Sequence, residues 1–560
     1  MSSFSFRTRA KTLGRLSQDQ FDLLVIGGGI TGAGIARDAV LRGLRVALVE
    51  RRDFAVGTSS RSSKLIHGGV RYLQQGDVGL VMEAAHERRV IRRLAPHLAR
   101  PIQMLVPAHS RSTYAKLSVG LWTYDRMARV LDEERYRMLD RDQTLTLEPL
   151  LRSKDLYGAG LYYEYLTDDA RLVVETLKSA AASGAAIANY SEVGGLVKEN
   201  GRVSGAMVKD ALADAEFTVR ATTIVNAAGP WVDALRCMED ENERPRLHLT
   251  KGIHLVLPRD RLPVSRIVVM NAPDNRAVFV VPHGMVAYIG TTDTDYDGRY
   301  DDPSITMEDV TYLLEAANAS FETDRLTPQE VVGAWAGLRP LLHQEGKKPT
   351  EISRRDEIMV GPAGLISIAG GKLTTYRKMA QRVVDMVVER LANGERLLDR
   401  KGDSERALLS GGETGDDVDA FTAKLKSRWP HVSADIVERL VPLYGSNAER
   451  MVEGMAADPM LARRCAPGMA VTRGEVAYAV REEMAMTLED FLERRGRLFL
   501  WDVNNGLSAA PEVASLMADL LGWDAGRMDA EITSYRNHVR EVKTFLPELD
   551  TVTTARVAHA

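Results

Sequence analysis

The first regular pattern of apolar residues lies within residues 21–53. Residues 21–26 (FDLLVI) form a short apolar run that ends in three glycines, which is typical of a buried parallel strand. Residues 30–41 then carry apolar side chains at helical spacing, and Gly43 is placed to end that helix. Because a second apolar run follows at 45–50, the pattern predicts a complete strand–helix–strand unit.

Later segments predict a second sheet and a helical C-terminal part. Helical patterns occur at 75–100, 113–130 and 170–183, and β-branched or alternating runs occur at 101–107 and repeatedly between 186 and 290. Long strand-rich stretches between helices predict a mixed sheet inserted into the first domain. Residues 364–392 repeat the strand–glycine–helix design, and residues after 418 show several helical patterns with few strand signals.

Composition excludes several classes of protein. The chain has 560 residues, and its hydrophobic share of 45% and charged share of 27% are ordinary for a globular protein. A net charge of −4 provides no overall basic field, so we expect no nucleic-acid partner. With only two cysteines, Cys237 and Cys465, a disulfide framework and a cysteine-based metal site are excluded, and no metal site is predicted.

The glycines after the first predicted strand form a dinucleotide-binding fingerprint. Gly27 allows a tight turn, Gly29 lets the backbone approach a pyrophosphate, and Gly32 lets helix and strand pack closely. The helix N-terminus, at Ile30 and Thr31, offers free N–H groups to that pyrophosphate. Glu50 ends the next strand 23 residues after Gly27, where it would accept hydrogen bonds from the adenosine ribose.

Two further segments favour FAD over NAD. Residues 58–73 (TSSRSSKLIHGGVRYL) are dense in hydroxyl groups, and Thr58, Ser59, Ser60 and Ser63 could bind a pyrophosphate and a ribityl chain. Residues 369–378 (AGGKLTTYRK) form a second glycine turn whose helix N-terminus could face the pyrimidine side of a flavin. The remaining predicted cofactor-binding residues are His67, Val193, Gly229, Gly370, Gly371, Lys372, Leu373 and Thr374.

These motifs together resemble the FAD-dependent glycerol-3-phosphate dehydrogenases. The resemblance covers nearly the whole chain and is most specific at SSKLIHGGVRYL (62–73) and GGKLTTYRK (370–378). It implies oxidation of sn-glycerol 3-phosphate to dihydroxyacetone phosphate, with hydride passing from C2 to flavin N5 and electrons to a quinone. Two alternatives stay open: a related oxidase that reduces oxygen to peroxide, and a catalytically silent flavin-binding regulatory protein.

The resemblance also implies an α/β fold of the D-amino-acid-oxidase type. In that fold a Rossmann-type FAD-binding domain is interleaved with a mixed-sheet substrate domain, and here an all-α C-terminal domain follows. We predict a flexible N-terminal arm (1–20), an oxidoreductase domain (21–395), a linker (396–417) and a helical domain (418–560). Within the oxidoreductase domain, the FAD-binding parts are about 21–100, 170–235 and 350–395, and the substrate parts are about 101–169 and 236–349.

The implied substrate is a phosphate dianion with a secondary alcohol, which calls for fixed cations and a proton acceptor. By resemblance, Arg339 and Lys372 lie nearest the flavin and the reacting carbon. His254 is the first candidate for the base, with Lys372 of depressed pKa or an arginine-organised water as alternatives. Lys251 and Asp293 are interpreted as structural. The predicted substrate-binding residues are Arg71, Tyr72, His254, Arg339, Arg355 and Lys372.

Residues 113–130 combine Leu121 and Trp122 with nearby lysine and arginine residues. One interpretation is a surface that docks on the bilayer and admits quinone, and the other is an ordinary helix packed on the substrate domain. By resemblance, we expect a cytoplasmic protein, peripheral on the inner face of the cell membrane, that forms a homodimer.

Overall fold

The computed structural model describes residues 4–69, 77–343, 356–392 and 402–546. The predicted substrate-binding residues Arg71, Tyr72 and Arg355 lie outside these ranges. In chain order the strands are β1 (Gln20–Ile26), β2 (Val46–Val49), β3 (Leu65–Ile66), β4 (Arg100–Ala108), β5 (Arg137–Asp140), β6 (Gly158–Leu166), β7 (Ala186–Ala188), β8 (Ser191–Glu199), β9 (Arg202–Asp210), β10 (Ala215–Asn226), β11 (Leu247–Pro258), β12 (Ile267–Asn271), β13 (Ala277–His283), β14 (Val286–Gly290), β15 (Thr294–Asp295), β16 (Gly333–Leu342), β17 (Glu357–Val360) and β18 (Ile366–Ala369).

The α-helices alternate with these strands at first and then dominate the C-terminal region. They span Phe6–Gln18, Ile30–Leu41, Val78–Leu94, Arg111–Ala128, Arg141–Leu147, Asp169–Ala182, Val232–Glu239, Met307–Ser320, Tyr376–Leu391, Val418–Arg428, Ala434–Tyr444, Asn447–Ala457, Arg473–Glu483, Leu498–Trp501, Ala510–Leu521 and Ala525–Glu541.

The first sheet has the strand order β17-β18-β10-β1-β2-β7, and β9 joins β10 to β8. Strand β1 runs parallel to both β2 and β10, so the carboxyl ends of these three strands meet at one edge. The apolar strands are covered by the helices Ile30–Leu41, Asp169–Ala182 and Tyr376–Leu391, whose buried side chains share one core with the sheet. This edge is where a doubly wound sheet binds its ligand.

The second sheet has the order β15-β11-β14-β13-β12-β4-β6-β3, with β16 paired to β11 and β5 to β6. One face packs on the helix Met307–Ser320. The antiparallel register of β11 and β16 places His254 opposite Trp335, and Thr250 opposite Arg339. Strand β3 (Leu65–Ile66) belongs to this sheet, although the sequence pattern assigned it to the FAD-binding parts.

The N-terminal residues form a helix, not the predicted flexible arm. Ser5 caps the helix Phe6–Gln18, and Leu16 is fully buried. The guanidinium of Arg9 donates to both carboxylate oxygens of Asp210, at 2.9 and 2.8 Å. The prediction failed because the partner of Arg9 lies 201 residues later in the chain, and only the fold brings the two together.

The predicted linker also packs on the first domain where it is described. Leu409 is fully buried in the core of the first sheet, and its N–H donates to the Leu94 carbonyl at 3.0 Å. Arg37 donates to the Ser404 carbonyl at 2.9 Å. Residues 402–409 are therefore part of the folded structure, and Arg37 and Asp38 of the helix Ile30–Leu41 hydrogen-bond to Ser404.

The C-terminal helices fall into two groups. Residues between 418 and 455 form a core largely of their own. Residues between 465 and 539 share a core with the second sheet, where Trp335 and Tyr288 pack against C-terminal apolar side chains. The second group is thus continuous with the substrate sheet and is not a separate globule.

Candidate functional site

A cavity of about 320 Å³ opens at the carboxyl edge of the first sheet. We call it the main cavity. Thirteen of the predicted cofactor-binding residues line it. They are Gly27, Gly29, Ile30, Thr31, Glu50, Thr58, Ser59, Val193, Gly229, Gly370, Gly371, Lys372 and Leu373.

The first glycine turn has no room for side chains. Gly27 has a φ of +113°, and a Cβ there would lie 2.6 Å from the Ala227 carbonyl oxygen. A Cβ on Gly32 would lie 1.9 Å from the Gly27 carbonyl oxygen, so Gly32 packs closely against the turn. It does not line the cavity. The helix begins at Ile30, whose N–H donates to Ser59 Oγ at 3.0 Å. This arrangement fits the pyrophosphate of a dinucleotide.

Glu50 lines the main cavity directly after β2. Its two carboxylate oxygens accept hydrogen bonds from the N–H groups of Gly28 and Arg52, at 2.7 and 2.9 Å. Burial raises the pKa of Glu50, and the two backbone hydrogen bonds oppose that rise. The carboxylate is therefore held in one orientation, with lone pairs left for ribose hydroxyl groups.

The second glycine turn lines the same main cavity as the first. Gly370 and Gly371 have φ values of +79° and +85°, which favour glycine. Thr374 does not line the cavity; its hydroxyl donates to the His67 carbonyl at 3.2 Å and joins this turn to segment 65–69. Because His67 also lies off the cavity, both residues brace the turns at its edge.

Several lining residues were missed by sequence reasoning. Arg51 lies over the Trp231 ring, 4.5 Å from its centroid, and both residues line the main cavity together with Ser62 and Asp169. Trp231 lies two residues after Gly229, a predicted cofactor-binding residue, and Arg51 follows Glu50 directly. Adjacency to a predicted cofactor residue was therefore a usable signal for Arg51 and Trp231, and Asp169 lies in the stretch DDARLV (168–173), which is part of the family resemblance.

His254 lies in β11 and is nearly fully buried. It contacts Ser63, which directly follows Ser62, a residue that lines the main cavity. Its Nε2 is 2.8 Å from Ser63 Oγ, and its ring stacks on Trp335 with centroids 4.6 Å apart. Burial lowers the pKa of His254 well below its ordinary value, and the positive charges of Lys64 and Arg339 add to the effect. The imidazole is therefore neutral at physiological pH. Ser63, a predicted cofactor residue, contacts this histidine and does not line the main cavity.

Arg339 is held in a fixed position at the end of β16. Its guanidinium donates to Asp293 Oδ1 at 3.0 Å, to Thr291 Oγ1 at 3.0 Å and to the Thr292 carbonyl at 3.1 Å. The next residue, Pro340, lines the main cavity. Asp293 is structural, as interpreted from sequence, but its role is to orient a predicted substrate-binding residue.

Lys64 was not predicted as part of the site, although it lies within residues 62–73, one of the two stretches that carry the family resemblance most specifically. It is 1% exposed, and its ammonium lies 2.9 and 3.1 Å from the two carboxylate oxygens of Asp169. Burial lowers the pKa of Lys64 to about 8, and Asp169 partly opposes that shift. The ammonium also donates to the Ser60 carbonyl at 2.8 Å, so Ser60 supports Lys64 and does not line the cavity.

One cluster of potential metal ligands occurs among the described residues, formed by Glu489, Glu493 and His538. Arg494 Nη1 already lies 3.1 Å from Glu489 and 2.7 Å from Glu493. The guanidinium thus neutralises the carboxylates that a metal ion would need.

The helix Arg111–Ala128 is amphipathic, as the sequence pattern predicts. Leu121 and Tyr124 are buried against the protein, while Val119 and Trp122 are 65% and 51% exposed. Within the described ranges, no helix has both the length and the apolar character to cross a membrane.

Comparisons with known proteins match nearly the whole chain. A family described as FAD dependent oxidoreductase matches residues 22–377, and one described as the C-terminal domain of alpha-glycerophosphate oxidase matches residues 403–528. An aerobic glycerol-3-phosphate dehydrogenase of Staphylococcus aureus is 40% identical over 536 residues, or 94% of this chain and 96% of that protein.

Two solved structures are similar to this chain in fold. The glycerol-3-phosphate dehydrogenase of Bacillus halodurans, complexed with FAD, has a TM-score of 0.83 and 37% identity, covering 98% of this chain and all of that one. The L-alpha-glycerophosphate oxidase of Mycoplasma pneumoniae shares the fold, with a TM-score of 0.52 and 19% identity over 66% of this chain and 95% of that chain. The predicted fold class and the predicted FAD cofactor are confirmed.

Proposed function

This chain belongs to the family of FAD-dependent glycerol-3-phosphate dehydrogenases, and from that membership we propose that it oxidises sn-glycerol 3-phosphate to dihydroxyacetone phosphate. The observation that carries the proposal is the guanidinium of Arg339, oriented by Asp293 and close enough to the neutral His254 to help lower the pKa of that histidine. A fixed guanidinium next to a proton acceptor suits a phosphate dianion with a secondary alcohol.

When bound, FAD supplies the hydride acceptor at N5. The chain's own residues bind and orient the substrate: Arg339 presents donors that do not have to reorganise, and Lys372 adds a cation at the edge of the main cavity. Arg71, Tyr72 and Arg355 belong to the same proposal through family motifs, although they lie outside the described residues.

His254 is the proposed proton acceptor. Its Nε2 contacts Ser63, and its Nδ1 makes no hydrogen bond within the described part of the chain. The low pKa keeps the ring neutral, while a bound phosphate dianion would offset the charges of Lys64 and Arg339 and strengthen the ring as a base. Lys372 and an arginine-organised water are the alternatives.

A quinone is the proposed electron acceptor, reached at a membrane surface on the cytoplasmic side. The exposed Trp122 and Val119 lie on one helix with Lys116 and Arg126, a combination that suits an anionic bilayer surface. Reduction of oxygen is the second candidate, favoured by the match of residues 403–528 to a domain named for an oxidase. A homodimer, proposed on family grounds alone, would be checked by sedimentation.

The test is an anaerobic titration of the purified holoprotein with sn-glycerol 3-phosphate, followed by visible absorbance. Bleaching of the flavin is expected, and the enantiomeric sn-glycerol 1-phosphate is the matched control. One reduced portion then receives a quinone analogue and another receives air, with peroxide measured in both.

Each outcome decides a separate point. A flavin that stays oxidised with glycerol 3-phosphate would overturn the substrate assignment and leave the regulatory alternative standing. Stoichiometric peroxide with slow quinone reduction would overturn the proposed acceptor in favour of oxygen.

A further inference from the structure

Segment 62–64 joins the two halves of the site. Ser62 lines the main cavity, and Ser63 contacts His254 Nε2. Two aromatic residues of the second sheet hold its backbone: the Trp335 indole N–H donates to the Ser62 carbonyl at 3.1 Å, and the Tyr288 hydroxyl donates to the Ser63 carbonyl at 3.0 Å. The position of this segment therefore sets the position of the histidine's partner.

Asp169 binds the same segment from the first domain. Its Oδ2 accepts hydrogen bonds from Ser62 N at 3.0 Å and Ser62 Oγ at 2.7 Å. Both of its oxygens also contact the Lys64 ammonium. Asp169 is fully buried, so its orientation depends on the charged groups around it.

Arg497, from the C-terminal region, is one of those groups. Its Nη2 lies 3.2 Å from Asp169 Oδ1, and its Nε lies 2.8 Å from Asp168 Oδ2. Its Nη1 donates to the Glu493 carbonyl at 3.0 Å, which anchors the guanidinium to the C-terminal region. Arg497 is 1% exposed and therefore bridges the C-terminal region and Asp169 through a buried contact.

Trp501, four residues later, reaches the aromatic side of the same segment. Its ring centroid lies 6.0 Å from that of Trp335 in an edge-to-face arrangement, and 5.6 Å from that of Tyr288. These are the two residues whose side chains hold the carbonyls of Ser62 and Ser63. One short stretch of the C-terminal region thus supports segment 62–64 by an ionic route and by a packing route.

We propose that Arg497 and Trp501 are positioning residues for the reaction: through Asp169, Trp335 and Tyr288 they hold segment 62–64, and through Ser63 they orient His254. The inference rests on the proposed function for its catalytic consequence. It assigns the C-terminal region an indirect part in the active site, beyond attachment to the first domain.

Ordinary attachment between the regions offers a matched control. Glu483 of the C-terminal region accepts hydrogen bonds from Arg171 at 2.5 and 2.7 Å and from Lys178 at 3.1 Å, with Arg171 and Glu483 fully buried. Among the described residues, the side chain of Glu483 contacts Arg171, Lys178 and Arg495, and it contacts neither segment 62–64 nor Asp169 nor Arg497. Glu483→Gln therefore weakens the junction while every contact of the proposed route keeps its partner.

The first measurement is hydrogen–deuterium exchange of peptides covering residues 58–69 in the full-length holoprotein. Arg497→Met is expected to speed exchange at Ser62 and Lys64 about tenfold or more, because their amides depend on Asp169 and on Ser62 Oγ. Arg497→Lys keeps the charge and is expected to restore part of the protection. Glu483→Gln is expected to leave these peptides unchanged.

The second measurement separates kcat from KM for glycerol 3-phosphate. Arg497→Met is expected to lower kcat about tenfold with FAD content and KM within about twofold of the original protein, since it misplaces the base and not the phosphate site. Should Arg497→Met fail to give folded holoprotein, Arg497→Lys and Trp501→Phe decide the question by the same two readouts, with smaller effects.

Unchanged exchange of residues 58–69 in the Arg497 and Trp501 variants would overturn the inference, as would equal changes in Glu483→Gln. Failure of the proposed function is distinguishable, because it appears as an original protein that glycerol 3-phosphate does not reduce, while the exchange comparison needs no substrate.

Discussion

The two sides of the site are built by different means. The main cavity is lined in part by two glycine turns, each formed by close neighbours in sequence, where the backbone comes near its packing partners. The substrate side is formed by side chains from β11, β14 and β16 and from segment 62–64, each oriented by another side chain. The difference teaches that the cofactor side is sensitive to atoms added at Gly27, Gly32 and Gly371, while the substrate side is sensitive to the loss of a partner.

The largest expected effect is on the cofactor side, at the first glycine turn. Gly32→Ala would place a methyl group 1.9 Å from the Gly27 carbonyl oxygen, so the turn has to move and FAD is lost. Flavin absorbance relative to protein absorbance, before and after reconstitution, measures this. Gly14→Ala is the control, because nothing lies within 4 Å of its added methyl. Normal FAD content in Gly32→Ala would contradict the close-packing argument.

Next in size is a change on the substrate side that spares the cofactor. Arg339→Lys keeps the charge but loses the planar fork that Asp293 and Thr291 orient, so kcat/KM should fall about 100-fold, or roughly 2.7 kcal/mol. FAD content should stay unchanged. Arg428→Lys, at an exposed ion pair with Glu449, is the control. Loss of FAD together with activity would show that the two sides are not separable in this way.

A pH dependence sharpens the comparison further. The pKa of Lys64, lowered to about 8 by burial, means that its ammonium is lost above that pH and that Asp169 then loses a cationic partner. We expect kcat/KM to fall up to about tenfold as pH rises from about 8 to 10, because the ion pair that joins Asp169 to segment 62–64 disappears. Lys64→Arg should abolish that decline, and a decline of the same midpoint in Lys64→Arg would contradict the assignment.

The same shift has a consequence for the free energy of unfolding. Because the folded-state pKa lies below the ordinary value of 10.5, the folded protein holds this proton less tightly than the unfolded chain. The resulting destabilisation is complete below about pH 8 and is relieved as pH rises toward 10.5. Denaturant unfolding across that window, compared with Lys64→Arg, measures it.

The smallest expected effect concerns Ser63. Ser63→Ala removes the hydroxyl 2.8 Å from His254 Nε2, which should slow flavin reduction about threefold to tenfold, the effect of one hydrogen bond. If Ser63 instead bound FAD, as its motif suggested, FAD affinity would fall and the reduction rate of the remaining holoprotein would not. Thr113→Ala, at an exposed helix cap, is the control.

Local pattern was a good guide to the cofactor side. The predicted strand at 21–26 is β1 (Gln20–Ile26), and the predicted helix at 170–183 is Asp169–Ala182. Most predicted cofactor residues line the main cavity because the turns that present them are formed by neighbouring residues. The exceptions, such as Gly32 and Ser63, belong to the same motifs but contact other protein groups instead of lining the cavity. The sequence pattern does not show which way each residue of a motif faces.

The amino-acid sequence by itself determined the strand–glycine–helix units, the family and the cofactor, since these depend on residue types at short spacing. Only the tertiary structure decided which charges are paired. Arg9 meets Asp210, Asp293 orients Arg339, and Arg497 reaches Asp169 across 328 residues. Such pairs form because burial makes an unpaired charge costly, and the chain distance between partners leaves no periodic signal from which they could be predicted.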